Sequence, residues 1–358
     1  MTVTWNAGLG AHIVTGFDEA SAVLREPGWS SDPRRSPPAP PAARDLPLAA
    51  LLFMDPPDHT RLRRLIAPAF TPRAVERIRP RVASIVDAAL DTLEETADLV
   101  ADLGHLVPLA IIAELLDAGT DGAELFRAET PRLARMLEVG AGADDFAEAV
   151  DAFAAVTLFL VPLIDERRRH PGDDFISALL AVGDLTVDEV LATTVLLLAA
   201  GHETTANLIG NGALALMRHP RQLPHLFTDP ARAVEELLRH MGPVRLVGRV
   251  ALTGHLLGGH PIRAGEQVLV RIDAADRDPR RFPDPDRLDL TRSGPSHLAF
   301  GGGAHFCLGA ALARLEAQET LTRLFARFPA MTPATGTPRW RDSTTFRALT
   351  ALPVRTAA

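Results

Sequence analysis

The chain has a single cysteine, and glycine surrounds it: Phe300-Gly-Gly-Gly-Ala-His-Phe-Cys307-Leu-Gly309. Directly after it, Ala311, Leu312, Leu315, Leu321, Leu324 and Phe325 recur at helical spacing up to a stop at Pro329. A sulfur at a helix N-terminus meets the positive end of the peptide dipole and unpaired backbone N–H groups, which favour thiolate over thiol. Glycines on both sides let the backbone turn tightly and let a large body approach it. The pattern describes a thiolate offered as a ligand to a flat, bulky metal cofactor. It does not read as the buried structural residue that a lone cysteine usually is.

Three more groups carry residue types suited to chemistry. Ala200-Gly-His-Glu-Thr-Thr205 sets an acid and two adjacent hydroxyls after a glycine, in the middle of an apolar helical run. Mid-helix glycine costs about 1 kcal/mol and threonine hydroxyls compete for backbone hydrogen bonds, so the combination is unusual there. Glu236 and Arg239 stand three apart in Ala233-Val-Glu-Glu-Leu-Leu-Arg239, on one helix face. His59 and Arg63, four apart, share a face of a helix opened by Pro56-Pro57. By themselves these groups also fit a kinked helix, an exposed ion pair and a basic solvated surface.

The elements that must position them are mostly helical. Periodicity and stop signals predict helices at about 17–26, 58–69, 72–96, 105–117, 122–138, 144–169, 173–181, 186–218, 230–240 and 309–328. Strands cluster at 244–272, and 339–355 is expected to form a C-terminal hairpin. The helix at 186–218 decides the architecture: Thr186 and Glu189 form a capping box, and the run continues to His219-Pro220. At about 1.5 Å per residue it is roughly 45–50 Å long, enough to cross a whole globular protein. The Pro-rich stretch 32–53 reads as a surface loop near a ligand entrance, so the 358 residues form one domain.

Bulk composition bounds the rest. An apolar content of 47% is ample for a core that encloses a cofactor, and a net charge of -8 argues against nucleic acid as a partner. One cysteine excludes an internal disulfide, which suits a reducing cytoplasm. Met1 to Gly10 lacks a signal pattern, and the apolar run Leu191 to Gly201 is too short to span a bilayer. A cytoplasmic protein with no membrane partner is expected.

The run 300–309 resembles the haem-binding signature of the cytochrome P-450 family, with Phe300, Gly303, His305, Cys307 and Gly309 in the family's fixed places. Ala200–Thr205 resembles its oxygen-activation motif, with His202 in the variable place, and Glu236-x-x-Arg239 its Glu-x-x-Arg element. Pro285-Asp-Arg287-Leu288 resembles its Pro-x-Arg-Phe segment, with Leu288 replacing Phe. The resemblance runs from about Ala11 to Pro353. Residues 11–26 already resemble the family's first strand and helix, so the usual N-terminal elements are expected to be shortened or absent.

This resemblance implies a mainly α, single-domain haem-thiolate fold with a small β region. It implies Cys307 as the metal ligand to haem b, with Phe300, Gly301 and Gly309 shaping the loop. His59, Arg63, Arg249 and His305 would hold the propionates. Gly201, Glu203 and Thr204 would serve O2 activation at a local opening of the central helix, and Glu236, Arg239 and Arg287 would form a structural network. Leu197, Ala200, Val244 and Phe346 are the substrate contacts it suggests, along with 32–53, 130–165 and 243–248. The implied reaction is monooxygenation of a hydrophobic or amphipathic small molecule, a secondary-metabolite intermediate, free or carried on a carrier protein. Electrons would come from NAD(P)H through a ferredoxin reductase and ferredoxin to a monomeric enzyme. Arg61, Arg64, Arg73, Arg77 and Arg79 form either a solvated face or a docking patch for that acidic donor. A peroxide-using peroxygenase or decarboxylase and a non-catalytic haem sensor remain as alternatives.

Overall fold

A computed structural model describes residues 2–36, 50–334 and 336–356. Most of the Pro-rich stretch, 37–49, therefore lies outside the described residues. The chain opens with strands β1 (Val3–Asn6) and β2 (Ala11–Val14), paired antiparallel, then helix α1 (Phe17–Arg25) and the short β3 (Trp29–Ser30). One strand thus precedes the segment expected to come first. It is short and buries only Val3, so its alternation is weak as a signal.

Helices α2 (Asp58–Ile66), α3 (Pro72–Glu76) and α4 (Arg79–Asp91) follow. The single helix expected over 72–96 is broken in two. Pro80 lacks an N–H and restricts the residue before it, so the chain restarts as α4 there. Residues near its expected end instead form β4 (Thr96–Asp98). A π-helical turn, Val100–His105, leads into α5 (Leu106–Leu115), then α6 (Gly119–Leu133).

Next come α7 (Ala143–Arg169), α8 (Phe175–Leu180) and the central α9 (Val187–Arg218). Long and apolar enough to cross a membrane by length and composition, α7 buries Phe146, Ala149, Ala152, Val156, Leu160 and Ile164 within the fold, against α6 and α9. The 32 residues of α9 give it a length of about 48 Å. Its capping box is formed as read: Thr186 Oγ1 accepts from the Glu189 N–H, and Glu189 Oε2 accepts from that of Thr186 (3.2 and 3.0 Å). Buried residues occur on most sides of α9 because α5, α6, α7, α11 and α13 surround it.

The remaining helices are α10 (Leu223–Thr228), which the periodicity did not show, α11 (Pro230–Met241), the single turn α12 (Ile272–Ala275) and α13 (Ala310–Arg327). Strand β5 (Leu246–Ala251) joins β8 (Gln267–Arg271) in a five-stranded sheet of order β1-β2-β8-β5-β3, with the hairpin β6 (His255–Leu257) and β7 (His260–Ile262) between them in sequence. At the C-terminus, β10 (Arg339–Trp340) pairs with β11 (Leu349–Ala351). The expected hairpin stops there. The last strand, β12 (Pro353–Arg355), leaves it to pair with β4 and with β9 (Thr332–Pro333).

Candidate functional site

The cysteine loop is built before α13 begins. Gly301 N–H donates to Leu298 O at 2.7 Å, and Cys307 N–H to Phe300 O at 2.9 Å. Gly303, at φ +62°, is pressed onto the end of α1: a Cβ there would stand 2.5 Å from Leu24 O, so only glycine fits. Phe300 is fixed from above by the Arg314 guanidinium, 4.5 Å from its ring centroid.

Gly309 is the N-cap of α13, and its backbone N–H favours the ionised form of the Cys307 sulfur. Cys307 is solvent-accessible yet ringed by enough protein that burial raises its thiol pKa, against the lowering effects of Gly309, Arg63 and Arg314. An accessible sulfur inside a dense surround lines an interior cleft rather than the outer surface. As a free thiol it stays protonated; a bound cation is what would make it thiolate.

Four donor groups gather beside that loop from α2, β5 and the loop itself. Arg63 Nη2 donates to Phe306 O at 2.6 Å. The His59 and His305 rings lie 4.1 Å apart, and Arg249 on β5 is close enough to lower the pKa of both. Burial first, then Arg249, His59 and Arg63, push His305 down to about 3; burial brings Arg249 to about 10. Neither ring nitrogen of buried His59 has a hydrogen-bond partner among the described residues. A cluster of mutually repelling donors with orphaned nitrogens calls for anions, and the two haem propionates supply them. The residues present fit the group.

Across α9, Leu197, Ala200, Gly201 and Thr204 are half-buried while Leu198, Ala199, His202 and Glu203 are sealed. At i, i+3, i+4 and i+7 they form one stripe. A methyl on Gly201 would make only ordinary contacts, 3.4 Å to Ile112 Cδ1 and 3.6 Å to Leu197 Cδ1. The protein's own packing therefore does not require glycine here. Leu308, next to Cys307, packs into the same apolar cluster as Val195, Leu198 and Ala199.

The expected opening of the helix is absent: residues 200–205 stay α-helical, and Thr204 Oγ1 donates back to Ala200 O at 2.7 Å. That local bond satisfies the hydroxyl without breaking the turn. Glu203 is ion-paired with Arg341, just after β10, and accepts from Asn207 Nδ2 at 2.8 Å, while its Oε2 has no partner among the described residues. Burial raises its carboxyl, but Arg341, Asn207 and His105 outweigh that and hold it below its ordinary value. On the adjoining face, His202 Nε2 lies 3.3 Å from His105 Nδ1, and burial lowers His202 to about 4. Asn207 was readable at i+4 from Glu203; Arg341, 138 residues away, left no sequence signal.

Glu236 and Arg239 form a buried bidentate pair (2.7 and 2.9 Å). The expected third member is corrected. The side chain of Arg287 is exposed and only its carbonyl takes part, accepting from Arg239 and Arg292. Arg292 Nε instead meets both Glu236 oxygens, at 3.2 and 3.1 Å. Val244 and Phe346 are bridged antiparallel, beside β5. Of the five surface arginines, Arg61 pairs with Glu189, and Arg79 with Glu76 and Glu319; Arg64, Arg73 and Arg77 have no carboxylate partner among the described residues.

Comparison with known proteins agrees with this geometry. The family profile described as Cytochrome P450 matches residues 231–355. The chain is 42% identical to Cytochrome P450 monooxygenase PikC of Streptomyces venezuelae, an alignment covering 96% of this chain and 84% of that protein. It is 38% identical to 6-deoxyerythronolide B hydroxylase of Saccharopolyspora erythraea, over 97% and 91% of the two chains. The structure of P450BioI in complex with hexadec-9Z-enoic acid ligated acyl carrier protein superposes with a TM-score of 0.91 at 35% identity, covering 96% of this chain and 92% of that one. With its cysteine at the head of α13 and the motif helix facing it, the chain belongs to the cytochrome P450 family and is a haem-dependent monooxygenase.

Proposed function

We propose that this enzyme oxidises a hydrophobic or amphipathic secondary-metabolite intermediate, with electrons passed from NAD(P)H through a reductase and a ferredoxin. The observation that carries it is the accessible Cys307 sulfur, backed by the Gly309 N–H and set beside an orphaned donor cluster. Haem bound there supplies reductive activation of O2, one atom entering the substrate and the other leaving as water.

The chain's own residues divide the remaining work. Cys307 holds the iron, while His59, Arg63, Arg249 and His305 take the propionates. Gly201 leaves room beside the α9 stripe, and the Thr204 hydroxyl holds a proton at Oγ1 above it. Glu203 serves as the proton-handling carboxylate, and half-buried Leu197, Ala200 and Val244 with Phe346 orient an apolar substrate. We place the enzyme in the cytoplasm as a monomer, with the unpaired Arg64, Arg73 and Arg77 meeting the acidic donor. The relatives named above, 6-deoxyerythronolide B hydroxylase among them, support the substrate class by kinship.

Reduction under carbon monoxide tests the core of this reading. The Soret band should move to the position of a thiolate-ligated haem, and Cys307→Ala should abolish both the band and most bound pigment. Pigment retained in full by that variant would end the assignment. Product formed with ferredoxin, reductase and NAD(P)H but not with peroxide alone separates monooxygenation from peroxygenation; the reverse result would favour the peroxygenase.

A further inference from the structure

The C-terminal hairpin carries a charge arrangement that the haem reading leaves unused. Arg245, Trp340, Arg341, Phe346, Arg347 and Ala348 line a cavity of about 250 Å³. Asp273 is the carboxylate shared by Arg245 (3.3 Å), Arg271 (2.8 Å) and Arg347 (3.8 Å). Among the described residues Arg277 has only the exposed Asp286, at 3.3 Å, as a carboxylate partner, and Arg341 has Glu203. Among the described residues five guanidiniums thus stand against three carboxylates around a solvent-open cavity, a positive excess that a carboxylate ligand would offset.

The crowding has a measurable sign. Burial first, then Arg277, Arg245 and Arg271, bring Arg347 down to about 10. The wall opposite is apolar: Trp340 is 42% exposed and offers its indole face, and Phe346 closes the cavity toward Val244. Guanidinium forks match carboxylate oxygens, and an indole stacks a flat body. We propose that this cavity binds a small carboxylate-bearing molecule with a flat apolar body, on the far side of Phe346 from the residues proposed to orient the substrate.

Arg341 gives that site a line to the chemistry. Its guanidinium lines the cavity and at the same time pairs with Glu203. A carboxylate engaging Arg341 competes with Glu203, so binding loosens the partner that keeps Glu203 ionised. This second step rests on the proton-handling role proposed for Glu203; the site itself does not.

Benzoate, with benzamide as its neutral match, tests the site on the ferric holoprotein by tryptophan fluorescence and the Soret band together. Benzoate should quench saturably, and Trp340→Phe should remove the signal. Benzamide should bind at least about ten-fold more weakly, and Arg347→Gln and Arg245→Gln should each weaken benzoate by about ten-fold, the scale of one lost charge-assisted contact. Arg347 also donates to His240 O, so circular dichroism checks folding, and the half-exposed Arg245 is the safer variant. Equal binding of benzamide would overturn the proposal. So would unchanged affinity in folded Arg245→Gln, or a Soret shift without a change at Trp340. For the link, benzoate should lower product per O2 consumed in the parent enzyme but not in Arg341→Gln; equal loss in both sinks the coupling. Benzoate binding that survives in a protein lacking the thiolate band would refute the haem assignment alone.

Discussion

At the scale of single residues, two side chains in helices set opposite problems. Gly201 lies mid-helix where its own surroundings tolerate a methyl. Gly201→Ala should therefore raise stability by about 0.5–1 kcal/mol through helix propensity, while lowering product formed per O2 consumed, because the methyl projects along the Leu197–Thr204 stripe. Chemical denaturation and coupling assays check the two halves; a variant both more stable and fully coupled would remove Gly201 from the site. Glu316 on α13 is the reverse case, a residue 3% exposed whose Oε2 has no partner among the described residues. Burial alone raises its pKa well above 4.5. Folded Glu316 then keeps its proton while the unfolded chain releases one, so its contribution is intact below pH 4.5 and declines as pH rises through the window above it, by about 1.4 kcal/mol per pH unit. Glu316→Gln should gain on the parent protein between pH 5 and pH 8 in urea melts; parallel curves would show Glu316 already ionised. The candidate ligand Cys307 is legible from its glycines and the helix after it. Glu316 is not, since nothing in an amphipathic pattern marks which acid faces inward.

At the scale of elements, the sequence was most readable where one element carried the whole signal. The capping box and length of α9 came through because both lie in one continuous run. The single helix expected over 72–96 divides because Pro80 restarts the chain inside a long periodic pattern. The Glu236 network shows the same limit across elements. Glu236 and Arg239 are neighbours on α11, whereas the third arginine comes from a turn whose path local rules do not fix. Asp289 N–H donates to Glu236 Oε1 at 3.0 Å, and that clamp swings Arg292 inward and leaves Arg287 in solvent. Arg287→Ala should consequently cost less than about 0.5 kcal/mol. Arg292→Ala should cost about 2–4 kcal/mol by stripping a charged partner from a buried carboxylate, and should release haem faster. Haem transfer to an acceptor protein and thermal melts measure both. Equal, small effects would restore Arg287 to the network.

At the scale of the molecule, the proposed delivery of electrons by a ferredoxin is a question of electrostatics. The chain carries a net charge of -8, yet Arg64 on α2 and Arg73 and Arg77 on or beside α3 have no carboxylate partner among the described residues. α3 packs against α13, and Arg63 of α2 bonds to Phe306 beside the ligand cysteine, so this patch surrounds the sulfur side of the site. Phe306 stands 40% exposed there, an apolar centre inside a basic rim. A negatively charged protein repels an acidic partner everywhere except at such a patch, and that contrast orients the encounter. Screening reaches about 10 Å at 0.1 M ionic strength, so salt should slow ferredoxin reduction of the enzyme at the bimolecular stage and leave the rate within the formed complex unchanged. Replacing Arg64, Arg73 and Arg77 together by Gln should lower the second-order rate by about ten-fold at low salt and flatten its salt dependence. The thiolate Soret band and the benzoate response should not move. Stopped-flow reduction across ionic strengths distinguishes the outcomes. A rate indifferent to salt in the parent enzyme would make these arginines solvated surface, and the donor would have to dock on another face.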